Sequence, residues 1–344
     1  MKEQKNIYKT NFLKKIFIKL CRILGFEIVD QNKFFLSTQE KGLDENLSVI
    51  GKKSITLPLG EVKISRKVTA FTVIFRSCTN VNMLTQNKKR LFEKSKSEYT
   101  FRSLNSIILS LNQSKDLFPK IKFNLIIVDY NSKKDDLKQM QNQLNKLNLN
   151  KSIISLDVNE FEPNIKKINA KNEKVTENQI SNMSNIHKSL LLAKNSSEDL
   201  IYFVEDDYIH HKNSIKEMIF TYEKISSQMN KEIILCPADY PYLYTKTEPT
   251  SIFLGDSRHW RSINETLCTF LTSKTIVEKY WEKFISMCQF EHYPFERPLH
   301  DIYKNEYCLS PIPALAFHCT NINSIFGLSP NLDWKKIWDE NDNY

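Results

Sequence analysis

Apolar residues follow two spacings along this 344-residue chain. Ala70-Phe71-Thr72-Val73-Ile74-Phe75-Arg76, Phe123-Asn124-Leu125-Ile126-Ile127-Val128, Ile153-Ile154-Ser155-Leu156, Leu200-Ile201-Tyr202-Phe203-Val204 and Glu232-Ile233-Ile234-Leu235-Cys236 are short, nearly continuous apolar runs bounded by polar residues. That is the pattern of strands buried on both faces of a parallel sheet. Between them the apolar positions recur at helical spacing: Phe101, Leu104, Ile107, Ile108 and Leu111; a segment from about Asp135 to Leu147; then Met183, Ile186, Leu190 and Leu191. Asn213 or Ser214 stands where it would cap a helix carrying Ile215, Met218, Ile219, Tyr222 and Ile225, and Ser273 where it would cap one carrying Ile276, Val277, Tyr280, Trp281 and Phe284. Strand alternating with helix predicts right-handed βαβ units, hence an α/β fold whose main domain spans residues 68–344.

Two segments stand outside this rhythm. Residues 1–25 form a predicted basic amphipathic helix, with Phe12, Leu13, Ile16, Phe17, Leu20, Ile23 and Leu24 on one stripe and Lys14, Lys15, Lys19 and Arg22 between them. Such a helix suits the interface of an anionic membrane, each basic residue contributing roughly 1 kcal/mol near the surface, or else packs its stripe on the main domain. Residues 26–67 read as a polar connector containing Pro58 and Gly60. Inside the main domain, residues 159–179 are rich in Lys, Asn and Glu without periodicity and predict a mobile surface loop that orders over a ligand.

Composition narrows the class. A hydrophobic content of 41% is that of a globular chain, and the formal charge of +9 is concentrated before Gly25, where Lys2, Lys5, Lys9, Lys14, Lys15, Lys19 and Arg22 face only Glu3. Charge is nearly balanced elsewhere, and no nucleic-acid-binding signature is present, so nucleic acid is not an expected partner. Seven cysteines occur singly with no CxxC pair, the usage of reduced thiols in a cytosolic compartment. No apolar run approaches the ~20 residues of a membrane span, and lysines interrupt the N-terminal stripe in a way a signal peptide does not tolerate. The expected location is cytoplasmic, peripheral at the inner face of the membrane.

The candidate chemistry sits where the predicted strands end. Leu200 to Val204 stops abruptly in Glu205-Asp206-Asp207, and ligands of open α/β sheets bind outside the carboxyl ends of such strands. Three adjacent carboxylates repel one another and lose hydration, so a positive partner should offset them, a hard divalent cation being the economical choice. The plain alternative is a solvated acidic turn. The first strand leads into the small polar loop Ser77-Cys78-Thr79-Asn80, the second ends in Asp129-Tyr130-Asn131-Ser132, and a late apolar run, Pro311 to Phe317, ends in His318. Asp239 and Arg258-His259-Trp260-Arg261 offer charged and aromatic groups suited to a sugar, with Trp260 as a stacking surface or as core.

Taken in order, these blocks resemble a family-2-like glycosyltransferase with the GT-A fold, over roughly residues 68–318. The resemblance implies a mostly parallel, Rossmann-like sheet flanked by helices, preceded here by the amphipathic helix and connector. It implies that Ser77, Thr79, Asp129, Asn131 and Asp206 hold the nucleotide, and that Asp207, Glu205 and His318 hold a divalent metal in a DXD-type motif, with Asp207 the foremost ligand. The family's proline-containing turn after the first strand is absent. A histidine ligand leans toward Mn2+ and an all-oxygen shell toward Mg2+, and both stay open. The implied reaction is a metal-dependent, inverting transfer of a sugar from a nucleotide-sugar donor to a glycan or lipid-linked acceptor. Its general base, typically worth ~10²–10⁴-fold, would be Asp301 first, with Glu296 and Glu291 in reserve. Two competing readings are a nucleotidyltransferase, whose glycine-rich phosphate loop is missing from Ser77 to Asn80, and a non-catalytic, membrane-associated binding protein.

Overall fold

The structure is a computed structural model that describes residues 12–26, 54–56, 60–80, 91–245 and 248–344. The chain divides into two units at Val62/Lys63. The first contains the helix α1 (Phe12–Ile23) and an antiparallel pair, β1 (Ser54–Thr56) and β2 (Gly60–Val62). The helix covers Phe12–Ile23 of the predicted segment 1–25, whereas residues 1–11, with Lys2, Lys5 and Lys9, and most of the predicted connector lie outside the described residues.

The second unit runs β3 (Ala70–Ser77), α2 (Lys96–Leu117), β4 (Lys122–Asp129), α3 (Lys134–Asn145), β5 (Asn150–Ser155), α4 (Glu177–Ser196), β6 (Leu200–Glu205), β7 (Tyr208–His210), α5 (Ser214–Met229) and β8 (Ile234–Leu235). It continues through β9 (Ile252–Leu254), β10 (His259–Ile263), β11 (Phe270–Ser273), α6 (Lys274–Lys279), α7 (Trp281–Gln289), α8 (Arg297–Tyr303), β12 (Cys308–Ile312), β13 (Ala316–His318) and α9 (Trp334–Glu340). Nine strands form one sheet in the order β5-β4-β3-β6-β11-β8-β12-β10-β9. The four that open it, β5, β4, β3 and β6, are mutually parallel and end on the same edge, as the βαβ rhythm predicts. Beyond β6 the sheet becomes mixed.

The near-continuous apolar runs follow from burial on both faces. Phe71, Val73 and Phe75 of β3 pack into one core with α2, α3 and α5, while Ile74 packs into a second core with α4, α6, α7 and α8. Alternation of side chains along a strand sends successive residues to opposite layers, so every position of β3 must be compatible with burial. Local signals set several boundaries. Thr176 and Gln179 form a reciprocal capping box at the start of α4, and Ser273 Oγ accepts from the Ile276 amide at the start of α6.

Residues 159–179 depart from the predicted open loop. Phe161, Ile165 and Val175 are buried, short 3-10 turns cover Val158–Glu160 and Glu162–Asn164, and the amides of Lys166 and Ala170 donate to the carbonyls of Gln289 and Glu291. Widely spaced apolar anchors in a polar stretch leave no periodicity for the sequence to show.

A second, two-stranded sheet pairs β7 with β13 immediately after the acidic triplet. Its His210 is fully buried, with Nε2 2.5 Å from the Tyr202 hydroxyl and Nδ1 3.3 Å from Ser106 Oγ. Burial pushes the imidazole down to about 3. The folded protein thus refuses a proton that the unfolded chain takes up near 6.5, so the stability is fully present above that pH and is lost as pH falls toward 3. By pH 5 this one group should cost about 2 kcal/mol. Urea unfolding at pH 7 and pH 5 is expected to show that loss in the wild type and a smaller one in His210→Gln; equal losses in the two proteins would contradict it.

Candidate active site

The parallel edge of the sheet opens on one cleft, of about 210 Å3, lined among others by Arg76, Ser77, Cys78, Lys96, Tyr130, Asn182 and the triplet Glu205, Asp206 and Asp207, whereas Thr79, Asp129, Asn131 and His318 do not line it. Register explains two of its contacts. Ser77 and Asp129 are direct neighbours on β3 and β4, and the Ser77 hydroxyl donates to Asp129 Oδ1 over 2.6 Å. Arg76 and Glu205 are neighbours on β3 and β6, and Arg76 Nη2 donates to Glu205 Oε1 over 2.9 Å.

Each carboxylate of the triplet meets a cation supplied by the protein itself. Glu205 pairs with Arg76; burial pushes its carboxyl up, and the guanidinium opposes this only in part. Asp206 pairs with Lys96 Nζ and also accepts from Thr100 Oγ1 at 2.8 Å and from the Cys78 amide at 3.2 Å. Asp207 Oδ2 lies 3.1 Å from His318 Nε2 and accepts from Thr320 Oγ1 at 2.6 Å. Burial favours the neutral carboxyl of Asp207, but the His318 charge, its hydrogen bond and Lys96 overcome that and hold Asp207 well below the usual carboxylate range. Burial likewise works against a charged His318, and Asp207 more than offsets it. The positive charge expected from the sequence is therefore present within the chain.

His318 is held tightly. Its ring stacks on Tyr208 at 4.9 Å with a 15° interplanar angle, and Nδ1 lies 3.2 Å from the Phe326 carbonyl oxygen. A carbonyl only accepts, so Nδ1 carries one proton, and Asp207 favours a second on Nε2; only on losing that second proton would the ring turn a lone pair of Nε2 toward the same place. Donation of one ring N–H to a backbone carbonyl fixes the ring's orientation, as it does for histidines that ligate metals through the other nitrogen.

The other predicted site residues divide. Asp129 is buried and accepts from Ser77, from Ser132 Oγ at 2.5 Å and from the Ser132 amide, while the Thr79 amide donates to Ser132 Oγ and Thr79 Oγ1 accepts from the Lys133 amide. Asp129 thus staples the loops after β3 and β4, and Asn131, at a φ of 54°, makes the turn between them. Asp301 lines a different hollow, with Glu282, Lys283, His292 and Arg297. Its hydrogen bond from Lys304 Nζ over 2.5 Å, opposed only slightly by burial, holds its carboxyl below the usual range. Glu296, one turn earlier at the start of α8, is close enough to influence Cys268, whose other charged neighbours are Glu205 and Arg76. Glu291 accepts from Gln179. Trp260 is fully buried and donates from Nε1 to Glu217 Oε1 at 3.3 Å, so it is core rather than a sugar platform. The flanking Arg261 does not oppose this, because it pairs with the buried Asp239.

Lys96, Arg76, Thr320 and the wall of α4 were missed in the sequence. The wall carried a signal: Asn178, Ser181, Asn182 and Asn185 recur at helical spacing, a small polar stripe on a helix otherwise packed by apolar residues. Lys96 and Thr320 carried none, since a lysine in a first helical turn and a threonine in a loop are ordinary until tertiary contact places them.

No protein-family model matches this chain, and no curated protein matches it either. Solved structures do. The chain is similar to Staphylococcus aureus TarS 1-349 in complex with UDP, at 13% identity over 69% of this chain and 66% of that one, with a TM-score of 0.35. It is similar to the galactosyltransferase LgtC in complex with donor and acceptor sugar analogues, at 10% identity over 72% of this chain and 86% of that one, with a TM-score of 0.31. It is also similar to a UDP-glucose pyrophosphorylase complexed with UDP-glucose, at 9% identity over 70% of this chain and 90% of that one, with a TM-score of 0.35. The chain spans 29% of one TarS structure and 48% of another. These are likenesses of fold.

Proposed function

We propose that the chain is a metal-dependent glycosyltransferase that binds a nucleotide-sugar donor in the cleft at the ends of β3, β4 and β6, where Asp207 and His318 would hold a divalent ion. The observation that carries this reading is the Asp207–His318 pair, with its second ring nitrogen fixed on the Phe326 carbonyl. The two donor atoms stand 3.1 Å apart, close to the roughly 3 Å edge of an octahedral shell with ~2.1 Å bonds. Among the described residues no three His, Cys, Asp or Glu side chains gather as a metal site. Asp207 and His318 are the two side chains that would hold an ion here. Glu205, already engaged by Arg76, is a weaker metal ligand than the resemblance implies, and Asp206, which the resemblance gives to the nucleotide, is engaged by Lys96. The histidine favours Mn2+.

The charges support the same reading. With Arg76, Lys96 and His318 set against the triplet, the cleft is nearly neutral, so an arriving diphosphate brings negative charge that the protein alone leaves uncompensated. A divalent ion would offset that charge and stabilise what builds on the leaving group as the glycosidic bond breaks. Asp207 and His318 would hold that ion, while Asn182 and its neighbours on α4 give the cleft a neutral hydrogen-bonding wall. For inverting transfer a carboxylate must take the acceptor's proton. Asp301 is engaged by Lys304 in another hollow, which makes Glu296 the first of the remaining carboxylates to test as that base. The acceptor in this reading is a glycan or a lipid-linked sugar.

The first unit suggests where that acceptor is met. Phe12, Leu13, Phe17, Leu20 and Ile23 of α1 are exposed, and basic residues alternate with them in the sequence. Among the described residues no helix is long and apolar enough to cross a membrane. An exposed apolar stripe interleaved with positive charge fits an anionic membrane surface.

Three experiments test this reading. Isothermal titration of nucleoside diphosphates with and without Mn2+ should show metal-dependent binding that Asp207→Asn lowers at least tenfold; in transfer assays Glu296→Gln should keep donor binding and lose ~10²-fold or more of the rate. Binding that ignores both Mn2+ and Asp207, or full transfer by the Glu296 variant, would refute the corresponding assignment. Flotation with vesicles containing phosphatidylglycerol should carry the protein upward, and Phe17→Asp should abolish this; equal flotation with neutral phosphatidylcholine vesicles would refute the electrostatic part.

A further inference from the structure

Lys96 occupies a position that local physics disfavours. It stands in the first turn of α2, directly after the N-cap Ser95, where the helix dipole opposes a cation. Its side chain is also largely withdrawn from solvent, which works against its ammonium, and Asp206 and then Asp207 do most to hold the charge in place. A helix start buried against a sheet edge would be served at lower cost by an apolar residue, so a charged one calls for a reason. The described residues take only one of its three N–H donors, through Asp206 Oδ1. Arg76 lines the same cleft, with one nitrogen on Glu205 and another on Asn182 Oδ1 at 3.0 Å.

We propose that Lys96, together with Arg76, binds the diphosphate of the donor directly, and that Asp206 is the resting partner that keeps the ammonium charged and aimed into the cleft. This rests on the reading of the cleft as a nucleotide-sugar site and adds the groups that grip the phosphates besides the ion. It also reassigns Asp206 from a nucleotide ligand to a positioning residue. Asp206 is suited to that role because its second oxygen is fixed by Thr100 and by the Cys78 amide, so the carboxylate stays in place while the lysine's remaining protons turn to phosphate oxygens. No group is transferred and no proton moves; the ammonium gains partners without leaving its first one. The bland alternative is an ion pair that only ties α2 to the end of β6.

Titration calorimetry with UDP, GDP and ADP, and with the matching nucleosides, separates the two. Removing the lysine alone would leave Asp206 buried and unpaired, so the main variant is the double substitution Lys96→Met with Asp206→Asn, its fold checked by circular dichroism and melting. It should weaken the preferred nucleoside diphosphate roughly 10-fold or more, as expected for a lost charge-assisted contact, flatten the salt dependence of binding, and leave nucleoside affinity unchanged. Asp206→Asn alone should retain diphosphate binding within about threefold, and Lys96→Arg should retain most of it. A double variant that binds diphosphate as the wild type does overturns the role of Lys96 while leaving the site reading intact. So does Asp206→Asn failing as completely as the double variant, because Asp206 would then be the group that matters. A wild type that binds no nucleoside diphosphate, with or without Mn2+, brings down the reading of the cleft and this proposal with it.

Discussion

Three consecutive carboxylates at the buried end of a strand are tolerated only if their charge is answered, and much of this structure is arranged to do so. Arg76 comes from the neighbouring strand, Lys96 from the helix that follows it, and His318 from a strand more than a hundred residues later in the chain. Each acid has a different partner, so no single replacement neutralises the triplet. The small sheet of β7 and β13 makes sense in this light. Its register sets His318 opposite Tyr208, and the stacked phenol and the Phe326 carbonyl fix the ring in the orientation that faces Asp207.

The consequence is a division of labour among residues that look alike in the sequence. Glu205 and Asp206 are occupied by strong, poorly hydrated cations, whose removal would leave uncompensated charge in a low-dielectric setting. Asp207 is paired instead with a histidine, a partner that can exist neutral and offer a lone pair. It is the one acid of the three whose partner can change from counter-ion to co-ligand. The same distinction explains why a site that already balances its own charge still suits a diphosphate with a divalent ion: the two arrive with nearly cancelling charge.

What could be read in the sequence follows from which interactions are local. The strands β3, β4 and β6 and the helices α2, α4 and α5 are legible because double-sided burial writes continuous apolar runs and helix packing writes a period near four. The end of β6 as the site is legible for the same reason, since a parallel strand's carboxyl end is where an α/β sheet opens. Asp129 was found but for a role it shares with the loop itself: its carboxylate is taken up by Ser77 and Ser132, contacts fixed by register and turn geometry. Asp301 was picked as a carboxylate downstream of the motif, and only the placement of Lys304 and Lys283 around it shows which way it faces. Trp260 was judged by its charged sequence neighbours, which strand alternation sends elsewhere. Lys96 and Thr320 are tertiary facts with no local trace.

The central claim is that Asp207 and His318 meet a metal-bound nucleotide diphosphate in this cleft. Anomalous diffraction from crystals grown with UDP and Mn2+ tests it most directly. The account predicts one anomalous peak within bonding distance of Asp207 Oδ2 and His318 Nε2, with diphosphate density beside Lys96 and Arg76. Ordered nucleotide elsewhere on the molecule, with the Asp207–His318 hydrogen bond intact and no peak beside it, would contradict it.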